Sequence, residues 1–163
     1  MKRVHVEPGS KDVQVKTGTA LTTALLTEHI DLPMACGGNG LCATCHVFIQ
    51  QGHDDVSPMA DKEKRTLSRI TSVSRNSRLA CQCHVLGDVK VSLPEGEYLE
   101  DIQTAENLVG QRAGRNILSP ADGRILIKKG QIISKFILRK LENENLNAWS
   151  ELKGSEKIKK NIL

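Results

Sequence analysis

Four cysteines spaced Cys36-x5-Cys42-x2-Cys45, with Cys81 following after a gap of 35 residues, constrain this chain more than any other feature. Three share one short loop and the fourth comes from a distant segment, so whatever they hold together ties that loop to the rest of the fold. Gly37, Gly38 and Gly40 lie between the first two. Lacking a Cβ, they let the backbone enter left-handed conformations and approach a sulfur closely. The fifth cysteine, Cys83, makes the count odd, so any pairing scheme leaves a thiol over. The start Val4-His5-Val6-Glu7-Pro8 is no apolar export signal. The expectation is a cytoplasmic chain without a disulfide framework, in which clustered cysteines mean metal or redox chemistry.

The donor set suits a [2Fe–2S] cluster, which needs four thiolates, two on each iron. Backbone N–H groups from a glycine-rich loop would offset the cluster's negative charge and raise its potential. Other chemistries fit less of the pattern. Cys42-Ala43-Thr44-Cys45-His46 satisfies the c-type haem attachment spacing. That reading leaves Cys36 and Cys81 without a purpose and requires export. Structural zinc is chemically open to four cysteines, but zinc sites favour paired Cys-x2-Cys knuckles and do not call for the glycines. A Rieske-type site needs two histidines in place of two cysteines, and His84 has no pattern that supports ligation.

Periodicity supplies a frame. Val4 and Val6, then Val13 and Val15, alternate with polar residues around Pro8-Gly9-Ser10, which reads as a β-hairpin. Ala20, Leu21, Ala24, Leu25 and Leu26 are spaced like the buried stripe of a helix, with Thr19 as N-cap and an end near His29. Val47-Phe48-Ile49 reads as a short strand, Asp61–Leu67 as an exposed helical turn or two, and Val89–Leu93 as an alternating strand stopped by Pro94. A polar stretch around 94–106 reads as a boundary. Beyond it come a turn at Ser119–Gly123, a strand at Arg124–Ile127, a turn into Gln131-Ile132-Ile133, and a helix capped by Ser134 that runs to about Leu146.

The text Leu32-Pro33-Met34-Ala35-Cys36-Gly37-Gly38-Asn39-Gly40-Leu41-Cys42-Ala43-Thr44-Cys45-His46, with Arg78-Leu79-Ala80-Cys81-Gln82, resembles the β-grasp [2Fe–2S] ferredoxins of the adrenodoxin-like and bacterial-type branch. The plant-type branch has four residues in the first gap where this chain has five. The resemblance spans about residues 3–95. It implies an α+β fold, a mixed sheet packed on a helix, over a domain at 1–100. It also implies electron carriage between a reductase and an acceptor protein, with Cys36, Cys42, Cys45 and Cys81 as cluster ligands. The family motif selects Cys81 over Cys83, which then reads as a buried thiol near the cluster; in an extended segment the two would project to the same side. By resemblance His46 hydrogen-bonds within the cluster loop and tunes potential; the other reading makes it a polar residue serving structure only. One departure concerns partners. Where adrenodoxin-like proteins carry an acidic docking helix, this chain has Asp61-Lys62-Glu63-Lys64-Arg65, mixed to basic.

Residues 101–163 lie outside such a domain and read as a linker and basic extension that packs on the first domain or on a partner. Residues 1–100 carry 11 Lys/Arg against 12 Asp/Glu, net −1, whereas 101–163 carry 12 against 7, net +5. An anionic partner is one expectation for that charge. Phe48, Tyr98, Phe136 and Trp149 are the only Phe, Tyr or Trp residues, which argues against nucleic acid stacked on an aromatic platform. No segment has the roughly 18 apolar residues of a transmembrane helix. With no general acid, nucleophile or substrate pocket in view, the chain reads as an electron-transfer protein and not an enzyme. The alternative is a partner-binding or assembly protein whose cluster is structural or redox-sensing.

Overall fold

The structure, a computed structural model, describes residues 1–99 and 102–143. It forms two compact units, Met1–Pro94 and the residues from Glu95 on.

The first unit is built on a five-stranded mixed sheet. Strands β1 (Lys2–Glu7) and β2 (Lys11–Val15) form the expected hairpin, with Val4 opposite Val13. The sheet continues through β3 (His46–Gln51), β4 (Ser77–Leu79) and β5 (Val89–Ser92) in the order β2-β1-β5-β3-β4. β5 pairs parallel with β1, and β3 pairs antiparallel with both β5 and β4. Alternation puts Val4, Val6, Val13, Val47, Ile49 and Val91 into the core. Helix α1 (Leu21–Thr27) buries Leu21, Ala24 and Leu25 of the predicted stripe, whereas Leu26 is exposed and Ala20 precedes the helix.

The start of α1 differs from expectation. Its N-cap is Ala20, and no side chain caps it, so Thr19 does not play that role. The free N–H groups of a first helical turn need acceptors from elsewhere. Leu21 N donates to Cys83 O at 2.8 Å and Thr22 N to Ala80 O at 3.2 Å. The helix is therefore capped by the segment that carries Cys81, and the two fix each other in place.

Helix α2 (Asp61–Leu67) is present, but it is not a merely exposed turn: Glu63, Thr66 and Leu67 are buried. In the second unit, β6 (Glu97–Tyr98) pairs parallel with β7 (Ile117–Leu118), which pairs antiparallel with β8 (Ile125–Ile127). A short helix α3 (Ile102–Glu106) and a helix over residues 135–143 accompany them. Leu99, Ala105, Ala113, Ile127, Ile133, Leu138 and Leu141 make the core. Ser134 Oγ accepts from Ile137 N at 3.3 Å, the cap that the sequence predicts. Residues 131–133 contribute only an isolated bridge, Ile132 to Arg112. The predicted end of the last helix, near Leu146, lies outside the described residues.

Candidate metal centre

Residues 34–45 cross from the end of the α1 region to β3 as an irregular loop. Its turns depend on glycine where the sequence supplies it. Gly38 and Gly40 have φ of +80° and +67°, in the left-handed region that side chains disfavour. The loop is braced from within and pinned by two neighbouring segments. Thr66 of α2 donates its hydroxyl to Gly40 O at 2.6 Å, and Thr44 Oγ1 accepts from Ala35 N at 3.2 Å. Ala80 N donates to Cys45 O at 2.9 Å, joining the loop to the turn after β4.

These constraints bring four sulfurs together in two pairs. Cys36 Sγ and Cys42 Sγ are 3.2 Å apart, and Cys45 Sγ and Cys81 Sγ are 3.3 Å apart. A disulfide would need about 2.05 Å, and all five cysteines are free. Each separation lies within about half an ångström of the edge of a thiolate tetrahedron around one metal, about 3.8 Å for metal–sulfur bonds of about 2.3 Å. Two such edges, one per metal, are the donor set of a binuclear centre, so the residues fit a [2Fe–2S] cluster.

The electrostatics of each pair favour one thiolate. The hydrogen bond from Cys42, and against burial the N–H groups of Leu41, Asn39 and Cys42, bring the Cys36 thiol down to about 5. The hydrogen bond from Cys45, joined against burial by the Gln82 side chain, brings Cys81 down to about 7. Cys42 and Cys45 are raised, each by its hydrogen bond to the partner sulfur and then by burial. Negative charge is thus already stabilised in both halves. Three of the sulfurs sit in buried residues, and Cys81 alone is part-exposed.

Cys83 stands apart from both pairs. Residues 80–82 form a turn, with Gln82 N donating to Leu79 O at 2.9 Å, so the segment is not extended and Cys81 and Cys83 do not follow strand alternation. Burial pushes the Cys83 thiol up to about 11, and the charges it feels are those of Arg78 and Glu63.

His46 is buried, with its Nε2 2.8 Å from Ser77 Oγ on the adjacent strand and its ring edge-on to Phe48. The Nε2 contact gives His46 a structural role, while its buried Nδ1 has no hydrogen-bond partner among the described residues. Burial lowers its pKa to about 4, so the ring is neutral.

The sequence reading missed a buried ion pair. Glu63 accepts from Arg78 Nε at 2.8 Å and from Arg78 Nη2 at 3.1 Å, and also from Leu79 N at 2.8 Å. It binds α2 to β4, two residues before Cys81 at its nearer end. The signal was present in the pairing of Glu63 with Thr66 and Leu67 at helical spacing, which marks one face of α2 as inward.

Comparison with known proteins agrees with this geometry. The family profile for the 2Fe-2S iron-sulfur cluster binding domain matches residues 4–86. A 2Fe-2S ferredoxin of Haemophilus influenzae is 32% identical over 90 residues, covering 54% of this chain and 79% of that protein. Rhodocoxin of Rhodococcus erythropolis is 37% identical over 98 residues, covering 56% of this chain and 92% of that protein. The crystal structure of an ISC-like [2Fe-2S] ferredoxin from Pseudomonas putida superposes with a TM-score of 0.54 at 31% identity, over 58% of this chain and 93% of that one. The β-grasp architecture is therefore shared, and the chain belongs to the 2Fe-2S iron–sulfur cluster binding domain family, as an electron-transport ferredoxin whose cofactor is a [2Fe–2S] cluster.

Proposed function

We propose that Cys36 and Cys42 hold one iron, that Cys45 and Cys81 hold the other, and that the chain carries single electrons between a reductase and an acceptor protein. The observation that carries this reading is the division of the four sulfurs into two close pairs on one glycine-shaped loop and one distant turn. When bound, the cluster supplies a one-electron couple. The residues do the rest. Burial of Cys36, Cys42 and Cys45 keeps water from three of the ligands, and the N–H groups of the loop stabilise negative charge on the sulfurs. Cys81, the part-exposed ligand, marks the side on which an electron has the shortest way out.

The partner surface that α2 selects is acidic. With Glu63 turned inward, the charges left on this helix and its end are Asp61, Lys62, Lys64, Arg65 and Arg69, three more positive than negative. Steering by complementary charge then favours partners with a negative docking face. The expected result is faster electron transfer to acidic acceptors at low salt, lost in a Lys64→Glu/Arg65→Glu variant.

The test of the centre is direct. Protein purified without air should be red-brown, bleach with dithionite, give a spin-half EPR signal and contain about two irons per chain. Cys36→Ser, Cys42→Ser, Cys45→Ser and Cys81→Ser should each lose or alter that signal, whereas Cys83→Ser should keep it. A colourless protein that takes up zinc and refuses iron on reconstitution would sink the carrier reading and leave a structural or binding role.

A further inference from the structure

The side chain of Gln82 lies across the exposed side of the metal centre. Its Nε2 donates to Gly38 O at 3.0 Å, and it stands 3.3 Å from Cys81 O and 3.4 Å from Cys81 Sγ. A primary amide has two hydrogens to give. One reaches the loop carbonyl, and the other is directed at Cys81, the only one of the four cysteines that is not fully buried. The carboxamide also occupies the space above Gly40, where an added Cβ would come within 2.9 Å of Gln82 Cγ and Cδ. Gly40 is therefore required twice, by its left-handed φ and by this side chain.

From this geometry we infer that Gln82 is a positioning and potential-setting residue: it latches the glycine loop to the Cys81 turn and donates a hydrogen bond to the Cys81 sulfur. Cys81 receives the Gly40 N–H as well, but it is part-exposed, and its side-chain donor comes from the residue next to it. Reduction adds one electron to the centre and breaks no bond. The extra negative charge is shared with the ligand sulfurs, so a donor to Cys81 Sγ stabilises the reduced form more than the oxidised one. Gln82 therefore raises the potential. The inference rests on Cys81 being a ligand, as proposed above.

Three variants separate donation from packing. Gln82→Met keeps the length that fills the space over Gly40 and removes both donors. Gln82→Glu keeps the shape and replaces the donor with an acceptor. Gln82→Ala removes everything. Potentials are read by EPR-monitored titration of the holoprotein with dithionite. Gln82→Met is expected to disfavour reduction by about threefold to tenfold, tenfold being about 59 mV for one electron. Gln82→Glu should disfavour it further, increasingly so as pH rises through the carboxylate range. Equal potentials in wild type and Gln82→Met would reduce Gln82 to a packing role and overturn the inference.

A second measurement needs no variant. In wild-type protein grown with side-chain [15N]glutamine, pulsed EPR of the reduced centre should show a weak 15N coupling and an exchangeable proton beside it. A spin-half signal without that coupling overturns the inference and leaves the cluster assignment standing. Absence of any spin-half signal overturns both.

Discussion

Within its aliphatic core the first unit also buries ions, a histidine and thiols: Glu63 and Arg78 in a two-pronged pair, His46 against Ser77, and Cys36, Cys42 and Cys45. The interior of the second holds aliphatic residues, Leu99, Ile127, Ile133, Leu138 and Leu141 with Ala105 and Ala113, and among the described residues its buried polar side-chain groups are those of Ser119 and the Tyr98 hydroxyl. Apolar groups alone would close either interior at lower desolvation cost. Polar groups in the first unit accomplish something that apolar packing does poorly, because each hydrogen bond fixes a direction as well as a distance. A loop that must place sulfurs to within fractions of an ångström needs such fixed directions, and a unit that only has to close does not.

The strongest way to break this comparison is to remove Glu63. Glu63→Leu leaves the Arg78 guanidinium and the Leu79 N–H buried without their acceptor, and should cost about 3 to 5 kcal/mol in denaturant unfolding of the holoprotein. The double variant Glu63→Leu/Arg78→Leu should recover much of that loss, since neither charge is then left alone. A single variant that costs less than about 1 kcal/mol would put this pair with exposed ones such as Arg115 and Glu97 on the second unit.

The second unit should respond to volume instead. Ile127 is fully buried at the centre of its core, and Ile127→Ala should cost about 2 to 5 kcal/mol through lost transfer energy and the cavity left behind. The expected readout is loss of hydrogen-exchange protection over residues 95–143 with the visible spectrum of the metal centre unchanged. A spectrum that changes with Ile127→Ala would show that the first unit's site depends on the second unit's core.

The two regions also differed in how far their sequences could be read. The hairpin, α1 and β5 follow from alternation and helical spacing, because each has one apolar face against the core. The proposed ligand set rests on spacing and on resemblance, since a cluster loop carries its chemistry in residue identity. Three features did not follow. The cap of α1 is not a side chain but the backbone carbonyls of Ala80 and Cys83, about 60 residues away, which no local pattern encodes. By sequence Glu63 belongs to an exposed charged run, because its neighbours Asp61, Lys62, Lys64 and Arg65 are charged; only the buried face of α2 distinguishes it. His46 has two readings from the sequence, a loop hydrogen bond by resemblance or a structural role, and only the start of strand β3 shows that its ring turns toward Ser77. In the second unit, Ser134 was legible because its cap is local.

The smallest effects sharpen the comparison most, because two of similar size should differ in consequence. Thr66→Val removes the hydroxyl that holds Gly40 O and leaves that buried carbonyl without a donor, for about 1 to 2 kcal/mol. Ser134→Ala removes the acceptor for Ile137 N, for about 1 kcal/mol. Their global costs are nearly equal, but their sites are not. Thr66 holds the left-handed glycine that lies under Gln82, so its loss should let the loop open and speed removal of iron by a strong chelator several-fold. Ser134 holds only the first turn of a helix, so its loss should reduce helicity in the second unit and leave the chelation rate unchanged. Equal chelation rates in the two variants would mean that loop opening is not limited by the Gly40 anchor, and that the rigidity of the site comes from the Glu63–Arg78 pair and the Ala80–Cys45 link instead.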